Sequence, residues 1–276
     1  MKYLVTGHKG FIGSHFVKRL ENYIGYDLLD GQDLKIIHGY PSDADIVVHM
    51  AAQNGTDLFY SSPTDVSFNN TIPTFNLIAN YIKVGNPKFV FTSTCEIFNH
   101  TDQIPTSEDV DIGFREVTNP RWSYSLPKAL GENLVANSGL RYLIIRYFNV
   151  YGPGQKLHFI NEFIERVRDG EYWIIGDETR AFCYIDDAIE MTHRLINTTE
   201  NETVHIGNPA EVSIAQVARM ILRIMDVDPS KLEVRAGRKG SASRRRPDTT
   251  KIQKLTGFDD YTSLEVGLRK TIESIL

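Results

Sequence analysis

Five short apolar runs punctuate the first half of the chain: Tyr3–Thr6, Tyr23–Tyr26, Ile46–His49, Phe89–Thr92 and Leu143–Tyr147. They are continuous rather than alternating, the pattern of parallel strands covered by helices on both faces. Helix-like segments lie between them at Phe11–Glu21, Asn70–Lys83 and Ser123–Asn137. This alternation predicts an α/β fold, a doubly wound parallel sheet with right-handed crossovers. Gly152-Pro153-Gly154 marks a boundary where the chain can leave that sheet. The expected division is 1–152 for the sheet domain and 153–276 for a smaller domain, with about 183–207 returning to the sheet.

The second half is less regular. Phe159–Arg168 reads as a helix and Tyr172–Ile175 as a strand. Ile185–Asn197 reads as a helix with Asp186 and Asp187 in its first turn, where carboxylates suit the helix dipole. Ser213–Met225 is amphipathic, with Ile214, Val217, Ala218, Ile221 and Leu222 on one face and Ser213 as a natural N-cap. Ser263–Ile275 closes the chain as another amphipathic helix. The sequence shows no internal repeat, and its only charge run is Arg238–Arg246.

Composition narrows the class without changing the fold. A chain of 276 residues that is 41% hydrophobic and 24% charged suits a globular enzyme. The net charge of −5 argues against a general nucleic-acid or anionic-membrane surface. Two cysteines, Cys95 and Cys183, make no disulfide framework and suggest a reducing compartment. No apolar run approaches the ~20 residues that span a bilayer. The first strand begins at residue 2, which leaves no room for a signal peptide, so the expected location is cytoplasmic. The histidines show no metal-ligand spacing; His8, His49 and His205 are expected to pack or hydrogen-bond in or beside strands.

The first strand runs into Gly7-His-Lys-Gly10-Phe-Ile-Gly13. A strand, a glycine turn and a helix make a phosphate-binding device. Gly7 permits the tight turn, Gly10 lets backbone approach a pyrophosphate, and Gly13 allows close helix packing. The N–H groups of the helix's first turn face the phosphate charge. Asp27, 14 residues beyond Gly13, ends the second strand. An acid there accepts hydrogen bonds from ribose hydroxyls and repels a 2′-phosphate, which favours NAD over NADP.

Tyr124 and Lys128 lie four apart in a helical pattern and so share a face. An ammonium beside the phenol, with a positive nicotinamide ring, lowers its pKa from about 10 and makes a base for a hydroxyl proton. Ser93-Thr94-Cys95-Glu96 follows the fourth strand, at the edge where doubly wound sheets bind ligands. There a Thr94 hydroxyl can donate to a substrate oxygen and Glu96 can serve as general acid or base. Cys95 reads as a soft acid/base, as a nucleophile that nothing nearby in sequence activates, or as a small packed residue.

Together these motifs resemble the extended short-chain dehydrogenase/reductase family, in its nucleotide-sugar epimerase/dehydratase branch. The resemblance spans nearly the whole chain and rests on Thr6–Gly13, Gly25–Asp27, His49–Ala52, Phe91–Phe98, Tyr124–Lys128, Arg146–Pro153, Gly176-Asp177, Arg180–Asp187, Ile206–Pro209 and Arg245–Asp248. It implies a Rossmann sheet with a smaller C-terminal substrate-binding domain, and NAD as cofactor. It further implies Tyr124 as base, Lys128 as its partner and ribose anchor, and Thr94 as third member of the triad. Phe11 and Ile12 belong to the cofactor loop. Asp33 and Leu34 match an adenine-contacting pair, and Ala51 and Ala52 line the cofactor cleft. Asn149, Arg180 and Arg245 match positions that hold a nucleotide diphosphate, with Arg245 the best aligned of Arg244–Arg246.

The implied first step oxidises a sugar C4 hydroxyl to a ketone. Hydride return to the other face then gives an epimerase, the favoured reading. The alternatives are a 4,6-dehydratase with Glu96 as C5 base, a decarboxylase, and, in another class, a non-catalytic NAD-binding sensor. Phe98-Asn99 stands where the family usually has Tyr-Gly. The partner is a nucleotide-diphosphate sugar, and the resemblance suggests a homodimer through the Tyr124 helix and its neighbour.

Overall fold

A computed structural model describes residues 1–37, 39–85, 87–98, 101–114, 116–237 and 242–276. Asn99 and the first part of the Arg238–Arg246 run lie outside the described residues. The strands, in order, are β1 (Tyr3–Thr6), β2 (Tyr23–Tyr26), β3 (Ile46–His49), β4 (Lys88–Thr94), β5 (Tyr142–Tyr147), β6 (Val150–Tyr151), β7 (Trp173–Ile175), β8 (Thr179–Ala181), β9 (Cys183–Tyr184), β10 (Glu202–Ile206), β11 (Glu211–Ser213), β12 (Glu233–Arg235) and β13 (Arg244–Arg245). The helices are α1 (Phe11–Val17), α2 (Thr56–Ser61), α3 (Pro63–Val84), α4 (Ser125–Ala136), α5 (Phe159–Arg168), α6 (Ile185–Thr198), α7 (Ile214–Ile224), α8 (Thr250–Thr256) and α9 (Leu264–Glu273).

Six strands form one parallel sheet in the order β2-β1-β3-β4-β5-β10. β1, β3 and β4 are buried along their whole length, which explains their unbroken apolar runs. Strand order reverses between β1 and β3, so the switch-point crevice opens beyond their carboxyl ends. The chain returns to this sheet with β10, beside β5.

Several elements differ from the sequence pattern. β4 runs two residues past the apolar run because Ser93 and Thr94 still pair with Arg146 and Tyr147 of β5. α1 stops at Val17, four residues short, before the chain turns into β2. α3 starts at Pro63, upstream of its apolar stripe, with proline at the first helical position where its missing N–H costs nothing. α7 begins with a full capping box between Ser213 and Gln216.

Small sheets bring distant residues together. β8 lies between antiparallel β11 and parallel β13, with Arg180 opposite Arg245. β6 pairs with β9, and Cys183 N–H donates to the Asn149 carbonyl. No helix among the described residues is long and apolar enough to cross a membrane.

Candidate active site

The glycine loop is packed as its spacing predicts. Gly7 has φ +71°, and a Cβ there would lie 2.6 Å from the Ala51 nitrogen. A Cβ on Gly13 would lie 2.1 Å from the Gly7 carbonyl oxygen, so the helix is sealed onto the turn itself. Gly10 is the N-cap of α1 and supplies no side-chain cap, which leaves the first-turn N–H groups of the segment carrying Phe11 and Ile12 for an outside acceptor. Ala51 N–H donates to Thr6 Oγ1, fixing the β3 exit against β1. Ala51 is half-buried and Ala52 exposed.

Asp27 lies at the end of β2, where one carboxylate oxygen accepts from Lys9 N–H and the other from Leu29 N–H, both at 3.0 Å. The acid is thus tied to the glycine loop. Asp33 accepts from Lys35 N–H at 2.9 Å, and Leu34 is buried beside it. A glycine turn with no room for a Cβ at Gly7 or Gly13, an uncapped helix start and an acid tied to that turn fit a dinucleotide.

Tyr124 is the N-cap of α4, directly after a short 3₁₀ turn, Pro120–Ser123, that Asn119 caps by accepting from Arg121 N–H. Its ring stacks on Phe59, with centroids 5.4 Å apart and planes 8° apart. Burial pushes the phenol pKa up, Glu96 and Cys95 push it further, and a hydrogen bond with Thr94 pulls it down. The phenol is therefore protonated at neutral pH in the protein alone. The lowered value expected from the sequence needs the positive nicotinamide ring; in the protein alone, burial with Glu96 and Cys95 sets the direction.

Lys128 Nζ donates to the Thr92 carbonyl at 2.7 Å and sits 5.9 Å from the Tyr124 ring centroid. Burial brings its pKa down to about 7, against the opposing pull of Glu132. Thr92 Oγ1 donates in turn to the His49 carbonyl. His49 bonds Thr6 on one side and Thr74 on the other, and burial, then Lys128, brings it down to about 3. It is a neutral tie between β1, β3 and α3, as its place in a strand suggests. His205, in β10, is likewise buried and brought down to about 3 by burial.

Thr94 ends β4 and caps the next turn by accepting from Glu96 N–H at 3.1 Å. Cys95 is buried, and burial pushes its thiol up, which suits a packed residue better than a nucleophile. Glu96 is gripped by two guanidiniums. Arg121 donates to Oε2 at 2.9 Å, and Arg245 donates to both oxygens. Burial would raise the Glu96 pKa, but Arg245, Arg121 and Arg180 outweigh it and hold the carboxyl down at about 2.

Glu96, Arg121, Asn149, Arg180 and Arg245 line a cleft of about 710 Å³, whereas Thr94, Cys95, Tyr124 and Lys128 are not part of its lining. Asn149 holds φ +41° and donates to the Ala181 carbonyl. Arg180 donates to the Thr179 carbonyl, and burial, then Arg245, brings its pKa down to about 10. Among the three consecutive arginines, Arg245 is buried in the cleft, whereas Arg244 pairs with Glu211 on the surface and Arg246 bonds the Pro209 carbonyl.

The sequence reading missed Arg121, which becomes visible only when the 3₁₀ turn carries it alongside Glu96. It also missed His158, a cleft residue within hydrogen-bond reach of Asn54 at 3.3 Å. Among the described residues no group of His, Cys, Asp and Glu is placed to hold a metal ion.

Known proteins match this chain along nearly its whole length. A UDP-N-acetyl-alpha-D-glucosaminuronate decarboxylase of Bacillus cytotoxicus is 30% identical over 98% of this chain and 96% of its own. UDP-glucuronic acid decarboxylase 1 of Xenopus tropicalis is 26% identical over 98% of this chain and 70% of its own. The structure of a dTDP-glucose 4,6-dehydratase of Streptomyces venezuelae with NAD bound superimposes with a TM-score of 0.86 at 26% identity, covering 99% of this chain and 96% of that one. A UDP-glucose 4-epimerase of Thermotoga maritima gives 0.84 at 27%, covering 99% and 98%. The NAD dependent epimerase/dehydratase family matches residues 3–207. NAD is accordingly the cofactor, and the fold is that of the extended short-chain dehydrogenase/reductases. The chain belongs to the NAD-dependent epimerase/dehydratase family.

Proposed function

We propose that this protein is a nucleotide-sugar epimerase that works through a 4-keto sugar. Gly7, Gly10, Gly13, Phe11 and Ile12 hold the cofactor pyrophosphate, Asp27 the adenosine ribose, and Asp33 and Leu34 the adenine, with Ala51 and Ala52 beside them. NAD, when bound, supplies a reversible hydride acceptor at the sugar carbon. Thr94 orients the C4 hydroxyl and Tyr124 takes its proton, while Lys128 anchors the nicotinamide ribose. The buried phenol needs added positive charge nearby before it ionises, so proton removal is confined to the loaded site. Asn149, Arg180 and Arg245 hold the diphosphate, where guanidinium geometry suits phosphate oxygens.

The observation that carries the choice of reaction is the grip of Arg121 and Arg245 on Glu96. A carboxylate held at about 2 is a weak base for a C5 proton. Return of hydride to C4 needs no such base, whereas elimination of water does. Loss of carbon dioxide from a C5 carboxylate needs none either. That second reading is favoured by the decarboxylases among the relatives. The exposed Phe68, Phe75 and Ile82 of α3, with Leu130 of α4, support a homodimer through that helix pair.

Turnover of UDP-, dTDP-, GDP- and CDP-sugars by wild type and by Tyr124→Phe tests the proposal. Wild type is expected to convert at least one, and the variant to lose ~10²–10⁴-fold in kcat while still binding NAD. If both proteins bind NAD and neither converts any nucleotide sugar, the catalytic reading fails and a sensor role replaces it.

A further inference from the structure

We infer that Phe59 is a positioning residue for Tyr124, and that Arg121, anchored by Glu96, holds Phe59 in place. The inference rests on the proposed role of Tyr124. Tyr124 joins the 3₁₀ turn to α4, and its carbonyl accepts from Lys128 N–H at 3.3 Å, which fixes the backbone and leaves the side-chain torsions to be set. Its ring direction must therefore come from packing. Phe59, 2% exposed on α2, supplies a nearly parallel ring on one side. The guanidinium carbon of Arg121 lies 5.4 Å from the Phe59 ring centroid, a cation over an aromatic ring. Arg121 donates to Glu96 at 2.9 Å. Contact thus runs from Glu96 through Arg121 and Phe59 to Tyr124.

The backbones are joined as well. Ser123 Oγ reaches the Phe59 carbonyl at 3.5 Å, and Ser67 Oγ of α3 donates to the Ser123 carbonyl at 3.2 Å. α2 and the 3₁₀ turn therefore behave as one frame around the phenol. In this account Glu96 acts by holding Arg121 and Arg245 and does not exchange a proton with substrate. A proton transfer tolerates little misplacement of its donor and acceptor, so a frame of this kind bears on rate more than on substrate affinity.

The test compares wild type, Phe59→Leu and Phe59→Tyr. Phe59→Leu is expected to lower kcat about tenfold, leave KM within about threefold and displace the basic limb of the kcat–pH profile. Phe59→Tyr keeps the ring and is expected to restore both the rate and the limb. Retained NAD binding shows that each variant is folded. Phe59→Leu with kcat within about twofold of wild type and an unmoved limb overturns the inference.

An independent readout uses protein with ring-labelled tyrosine, the Tyr124 signal being assigned by its loss in Tyr124→Phe. The stacked ring is expected to show a ring-current shift that disappears in Phe59→Leu, and an unchanged signal also overturns the inference. Wild type that binds NAD, shows the shift and turns over no nucleotide sugar overturns the catalytic reading of Tyr124 instead, and with it any positioning role for Phe59.

Discussion

Two buried arginine–carboxylate assemblies lie close together in this molecule and differ in one respect. Arg146 of β5 and Glu132 of α4 are each 6% exposed. Each nitrogen of the Arg146 guanidinium has an acceptor: Nε and one terminal nitrogen reach Glu132, and the other reaches the Glu108 carbonyl. The charges match one to one, and the pair joins a helix to the sheet. At Glu96, the guanidiniums of Arg245, Arg121 and Arg180 meet two carboxylates, Glu96 and Glu178, and Arg121 Nε is buried with no hydrogen-bond partner among the described residues. This second assembly lines the cleft. A matched pair is complete without a ligand, whereas a surplus of buried positive charge is stabilised further by an anion. Burial and pairing alone do not separate a structural arginine from a binding one. Charge balance and cleft access do.

The largest expected effect falls on the matched pair. Glu132→Gln leaves Arg146 without its counter-charge and is expected to lower unfolding free energy by about 3–5 kcal/mol in urea titrations. The double replacement Glu132→Leu with Arg146→Met removes both charges and is expected to recover most of that loss, which would mark the pair as structural. Arg245→Ala is next. It is expected to cost roughly 10–100-fold in kcat/KM for the nucleotide sugar with little change in NAD affinity. A loss confined to stability would place Arg245 with Arg146 and break the contrast.

Glu96→Gln sharpens it. The Glu96 carboxyl is held at about 2 in the fold, below its ordinary 4.5. A depressed acid contributes stability that is present above about 4.5 and lost as pH falls toward 2. The wild-type advantage is therefore expected to be about 3 kcal/mol at pH 7 and to vanish near pH 2, read by denaturation across that range. Turnover by Glu96→Gln is expected to stay within about tenfold of wild type, since loss of a working general base costs ~10²–10⁴-fold. Ser213→Ala, at the cap of α7 and away from both assemblies, is expected to cost about 1 kcal/mol and leave turnover unchanged.

The sheet was legible because its strands are buried on both faces and read as unbroken apolar runs. The cofactor cradle was legible because Gly7 and Gly13 leave no space for a Cβ. What the sequence hid are features set by pairing across distance. The two-residue strand β13 carries no pattern of its own, yet its register with β8 puts Arg245 opposite Arg180. α2, six residues long, and the four-residue turn at Pro120–Ser123 are too short for a periodic signal, and they place Phe59 and Arg121 beside Tyr124 and Glu96. The Tyr124–Lys128 spacing was visible, but the burial that raises the phenol and lowers the ammonium was not.

The most direct test of the central claim is mass analysis of products formed from UDP-, dTDP-, GDP- and CDP-sugars in deuterated water. Hydride return to C4, with Glu96 idle as a base, predicts a product of unchanged mass that carries no solvent deuterium. A product that has lost water and gained deuterium would contradict the account, because it requires the C5 proton abstraction that the grip on Glu96 argues against.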